Sequence, residues 1–186
     1  AQSEVRSSTI EILQLSPDRK TVSLSLTAGT RRDYRPRLVA VGASDVHLVW
    51  DAYVDGTYDV YGCPVRDSGP GPVEQISRGA EWAVNACVCR DSSGQLRCVW
   101  VRWQDVIWKQ SVIHQKFSLR GARSDGGDWA PWGACDGIPD IAPLHYGLLT
   151  DFDRKPPALG HQGRRLHPML RSSSDGSVWL FYESKQ

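Results

Sequence analysis

Residues 35–50, RPRLVAVGASDVHLVW, return in register as residues 167–182, HPMLRSSSDGSVWLFY, and a weaker copy, NACVCRDSSGQLRCVW, occupies residues 85–100. One offset, 132, carries Pro36, Val46 and Trp50 onto Pro168, Val178 and Tyr182; a second, 50, carries Leu48 and Trp50 onto Cys98 and Trp100. A chain of like units buries its apolar faces by setting one unit against the next, so the repeat constrains the architecture before any single element is assigned.

Each copy reads as a short strand, a polar Gly/Ser/Asp turn and a second strand ending in an aromatic. The first copy runs on into DAYVDGTYDVYGCPV, where Asp55-Gly56 sits between two aromatic-rich strands. Asp-Gly is the favoured pair for a two-residue type I′ turn, so strands two and three form a hairpin. After the polar run from Asp67 to Pro72, VEQIS supplies a short fourth, outer strand, and RGAEWAVNACV carries the chain into the next unit. Four antiparallel strands at roughly 40 to 50 residues per unit describe the blade of a β-propeller.

The expected fold is therefore all-β, a propeller of about three four-stranded blades in one domain. Residues 1–32 give a half-blade, because TIEILQL and TVSLSLT read as strands three and four joined by SPDRK; 33–77 and 78–118 give blades; 119–166 a loop insertion; and 167–186 a second half-blade. Propellers have about 4 to 8 blades. The half-blades would close a small ring on each other, complete one ring in a homodimer, or be the cut edges of a longer protein.

Charge excludes little by assignment but much by class. With 22 Lys and Arg against 21 Asp and Glu, the net charge of +1 gives no whole-molecule attraction to nucleic acid or an anionic membrane. No run approaches the ~20 apolar residues of a membrane-spanning helix. No phosphate loop, nucleophile elbow or zinc-finger spacing is present, and no cofactor is expected. The five cysteines, at 63, 87, 89, 98 and 135, are an odd number, which argues against a disulfide scaffold. Cys87 and Cys89 share a strand face, and Cys98 is expected opposite Cys89, so that three sulfurs converge. A zinc site would want a fourth ligand, and none is near, so no metal is expected and the thiols read as small buried hydrophobes.

Three sets of residues carry the chemistry. Arg35 and Arg37 in RRDYRPR, and Arg164, Arg165 and His167 in RRLHPMLR, stand at equivalent places before the innermost strand, near one mouth of a propeller channel. There they would fork onto a carboxylate, sulfate or phosphate; solvated loop charges are the competing reading. Asp151, Asp153 and Glu183 are the candidate acids, since a glycosidase needs two carboxylates about 5 to 10 Å apart. Among eight tryptophans, Trp103, Trp129 and Trp132 lie at strand ends or in loops, where an aromatic face stacks on a sugar. Trp50 and Trp100 belong to the repeated strands and read as core.

The repeated P-x-L…V-x-L-V-W unit, the WDAYVDGTYDVY hairpin and the closing SSDGSVWLFY resemble the blades of sialidase-like and TolB-like propeller repeats of bacterial extracytoplasmic proteins. The resemblance covers residues 33–113 and 167–186, and it implies a place outside the cytoplasm. SSDGSVW is similar to the Asp-box turn of sialidases, and YRPR to the arginine motif that opens those enzymes. Three functions follow. The preferred one is a non-catalytic module that binds a glycan or protein ligand through its loop face. The second is a glycoside hydrolase of sialidase type, with Arg35, Arg37 and Arg164 or Arg165 as anion clamp and Asp151, Asp153 or Glu183 as acid or base. The third is a structural scaffold domain.

Overall fold

The structure is a computed structural model that describes residues 10–15, 21–25, 32–79, 81–108, 111–133, 141–144, 168–175 and 177–181. It is all-β and antiparallel, with no α-helix among the described residues. The first complete sheet comprises β3 (Arg32–Ala40), β4 (Val46–Val54), β5 (Thr57–Arg66) and an outer edge made of β6 (Gly69–Pro70) and β7 (Glu74–Gln75), both paired to β5. The second repeats that order: β8 (Trp82–Arg90), β9 (Leu96–Trp108), β10 (Ser111–Ser124) and an edge of β11 (Ala130–Pro131) and β12 (Ile141–Leu144), both paired to β10. Two hairpins flank them, β1 (Glu11–Leu15) with β2 (Thr21–Ser25), and β13 (Met169–Ser172) with β14 (Val178–Phe181).

The local chemistry of the turns explains this order. Asp55 and Gly56 both take positive φ, 48° and 89°, as a type I′ turn requires, and they join β4 to β5 across nine paired positions. The turn between first and second strands closes identically in all three copies: the amides of Val41, Asp91 and Ser173 donate to the carbonyls of Asp45, Gln95 and Ser177 at 2.9, 2.8 and 2.9 Å. Those positions are related by the same offsets, 50 and 132, that relate the sequence copies. Aspartate folds two of these turns from the side chain. Asp91 Oδ1 accepts from the amides of Ser93 and Gln95, and Asp175 Oδ1 accepts from the amide of Ser177.

A bulge is repeated as well. Tyr34 pairs with Asp51 and Arg37 with Val49, so Arg35 and Pro36 together oppose Trp50; Val84 pairs with Val101 and Cys87 with Val99, so Asn85 and Ala86 oppose Trp100. Arg35 and Asn85 hold left-handed backbone, φ 54° and 57°. One extra residue reverses the faces of the innermost strand, which is why Val84, Cys87 and Cys89 look one way and Ala83, Ala86 and Val88 the other.

Three apolar layers result. Leu48, Trp50, Ala52, Tyr61 and Cys63 on the outer face of the first sheet pack with Ile10, at the start of the first hairpin. The opposite face, with Val49 and Val60, meets Ala86, Val88, Cys98 and Trp100 of the second sheet. The far face of the second sheet, with Val99, Val101 and Leu119, packs against Leu170 of β13. The three-sulfur convergence is not formed. Cys98 pairs with Val88, not Cys89, and lies on the opposite face from Cys87 and Cys89, because the turn closes Asp91 onto Gln95.

The sheet also extends into the region expected to be a loop excursion from residue 119. β10 runs through Gly121 to Ser124, because β9 offers thirteen residues for it to pair, and β11 and β12 fold back on its other edge.

Candidate functional site

Where the first sheet hands over to the second, the connecting residues Ser77, Arg78 and Glu81 stand across from the end of the inter-sheet face, and a cleft of about 200 Å³ opens between them. Strand alternation builds its floor. On β9, Cys98, Trp100 and Arg102 share the face turned toward the first sheet, and Arg120 of β10 pairs directly with Trp100. The apolar part of that face thus ends in two arginines at the cleft. Trp129 closes the side, buried, with its ring edge-on to His47 at 5.6 Å.

Among the described lining residues are three arginines, Arg78, Arg102 and Arg120, and one carboxylate, Glu81, which Arg102 binds in an ion pair. The volume is below the ~300 Å³ at which small-molecule pockets begin, so the cleft suits one ring or one side chain rather than an extended ligand. Glu81 is the single acid among the described lining residues.

The expected site residues fall in different places. Trp129 lines the cleft. Trp103 does not: it stands T-shaped on Trp82 at 4.8 Å, within an aromatic group at the sheet ends that continues through Tyr58 and Tyr53. Trp132 lies under the guanidinium of Arg97, 5.1 Å from its centroid, and its amide donates to Gly121. Arg35 is committed to Asp51 at 2.9 Å, while Arg37 is exposed and donates to the carbonyl of Pro36. Arg164, Arg165, His167, Asp151, Asp153 and Glu183 lie outside the described residues.

Asp51 is the acid that bonds across the two complete sheets. Fully buried, it accepts from the amides of Asn85 at 2.7 Å and Ala86 at 3.0 Å as well as from Arg35. Burial pushes its pKa up, and these three donors pull against that shift. Its partners lie in the bulge of the neighbouring sheet, so this carboxylate joins the two units. Asp33 is a second buried acid and accepts from the indole of Trp50 at 2.9 Å. Burial raises the Cys63 and Cys89 thiols to about 11 and Cys87 to about 12, so none is a thiolate nucleophile near neutrality. No cluster of three or more His, Cys, Asp or Glu is placed to hold a metal among the described residues. No described helix is long and apolar enough to cross a membrane.

No family model matches the chain, and no curated protein matches it. Sequence reading missed Arg78, Glu81, Arg102 and Arg120. The alternation of CVWVRW, which puts an arginine in line with Cys98 and Trp100, carried a signal for one of them.

Proposed function

We propose that this chain is a non-catalytic binding module whose sheets are blades of a β-propeller, and that its cleft takes one anionic group of a glycan or protein ligand. The supporting observation is the cleft's described lining, which holds Trp100 and Trp129 together with Arg78, Arg102 and Arg120 and one carboxylate, Glu81. A tryptophan beside the guest gives the test its signal. Titration with glucuronate should change the intrinsic fluorescence where glucose at equal concentration does not. Arg78→Ala should weaken that binding about tenfold, the effect of losing one charge-assisted contact of ~1.5 kcal/mol. An acidic peptide that competes with glucuronate would assign the same cleft to a protein ligand. Equal response to glucose and glucuronate, or release of nitrophenol from a panel of chromogenic glycosides, would overturn the reading.

A further inference from the structure

The connector that joins the two complete sheets is tied down where it leaves the first and shaped around a carboxylate where it meets the second. The amides of Ile76 and Ser77 donate to the carbonyl of Val60 at 2.7 and 3.2 Å, and the buried hydroxyl of Ser77 donates to Asp59 at 2.8 Å. Arg78 and Gly79 are exposed, and Gly79 takes φ 134°, a backbone that glycine adopts far more easily than any residue with a side chain. A Cβ at Gly79 would stand 3.1 Å from Oε2 of Glu81. One carboxylate oxygen thus lies against a residue with no side chain, while the other, Oε1, holds Nη2 of Arg102.

Register explains the ion pair. Ala83 on β8 is opposite Arg102 on β9, and Glu81 stands two residues before Ala83, on the diagonal that long side chains span. Both members of the pair line the cleft, in company with Trp100 and Trp129. Water still reaches them, since the Glu81 side chain is 32% exposed and that of Arg102 23%. An ion pair so open contributes little, and it exchanges partners at small cost.

The inference rests on the reading of the cleft given above, because a guest's anion and Glu81 then meet the same guanidinium. We propose that Glu81 is a resident competitor: its carboxylate occupies the place on Arg102 that the carboxylate of a uronic acid takes, and the guest enters as the Glu81 side chain turns out into water. The group already seated is planar and matches the guanidinium fork, so the guest it stands in for is itself a carboxylate. Trp100 and Trp129 beside it suit the face of a sugar ring, which favours a uronate as the carrier. Glu81 thereby sets selectivity. A neutral sugar has nothing to exchange for it, and an anionic one binds only as tightly as the exchange allows.

Glu81→Gln keeps the shape of the side chain and removes its charge, so its far-ultraviolet spectrum should match that of the unaltered chain. In a fluorescence titration it should bind glucuronate about fivefold tighter, the effect of an exposed ion pair at the upper end of its range. That gain should vanish in chains that also carry Arg102→Gln, where the pair is already broken. An unchanged or weaker affinity in Glu81→Gln would assign Glu81 to holding the connector and overturn the proposal, as would a gain that persists without Arg102 or one shared by glucose. A gain for N-acetylaspartate without one for glucuronate would make the guest an acidic side chain and overturn the uronate assignment. Glucuronate binding that is equal in both chains leaves the ligand reading standing and removes only the competitor. No response to glucuronate in either chain removes both.

Discussion

At the scale of single residues, two buried groups dominate the junction between the complete sheets. Asp51 satisfies two backbone amides and a guanidinium at once. Truncating it strands both amides in the interior and leaves the half-buried Arg35 without its ion pair, and Asp51→Ala should cost about 3 kcal/mol in urea denaturation, the magnitude of breaking a buried pair. His47 is 8% exposed, its Nε2 has no partner, and burial lowers its pKa to about 4 from 6.5. The unfolded chain therefore takes up a proton at His47 before the folded one does. Stability from neutral His47 is complete above pH 6.5 and lost as pH falls toward 4, by about 3 kcal/mol at 1.36 kcal/mol per unit. His47→Gln should flatten that part of the stability profile relative to the unaltered protein. Neither role could be read from sequence. His47 looks like any polar residue on an alternating strand, and Asp51 finds its partners 34 and 35 positions away.

Strands and turns were far more legible, because their signals are local. The repeated copies with their polar turns located β3 to β5 and β8 to β9, and Asp55-Gly56 located a hairpin whose φ values match its turn type. Bulges gave no such signal. Arginine at position 35 does not announce positive φ, whereas asparagine at 85 tolerates it better than most residues. That difference is testable. Asn85→Gly should be nearly neutral in thermal denaturation. Asn85→Val, with a branched Cβ forced into left-handed backbone, should cost about 2 kcal/mol. The reach of β10 to Ser124 was hidden for a related reason. Its glycine at 121 reads as a breaker in isolation, but a long, continuous β9 holds the strand straight through it.

For the whole molecule, the second sheet is the keystone, since both its faces are buried, one under the first sheet and one under β13. Leu119, fully buried on that sheet, packs in a group that also draws Tyr58 from the first sheet and Leu170 from β13. Leu119→Ala should therefore destabilise by about 3 kcal/mol. Circular dichroism and tryptophan fluorescence should shift together as one transition, and two separated transitions would show the sheets to be independent. The cleft was out of reach of sequence reading because no stretch contains it. It arises only when a connector in one unit faces the ends of two strands in the next.

The Asp51 contact also sets the order in which the units can be joined. Its carboxylate reaches forward to bare amides at Asn85 and Ala86, but the equivalent position in the second unit is Val101, and the residue equivalent to Ala86 in the third copy is Pro168, which has no amide hydrogen to offer. An acceptor is present where two donors await it; where one donor is missing, a hydrocarbon side chain stands instead. The copies have thus diverged as matched pairs of neighbours, and a gene shuffled to exchange them would leave an acid facing a proline and two amides facing a valine.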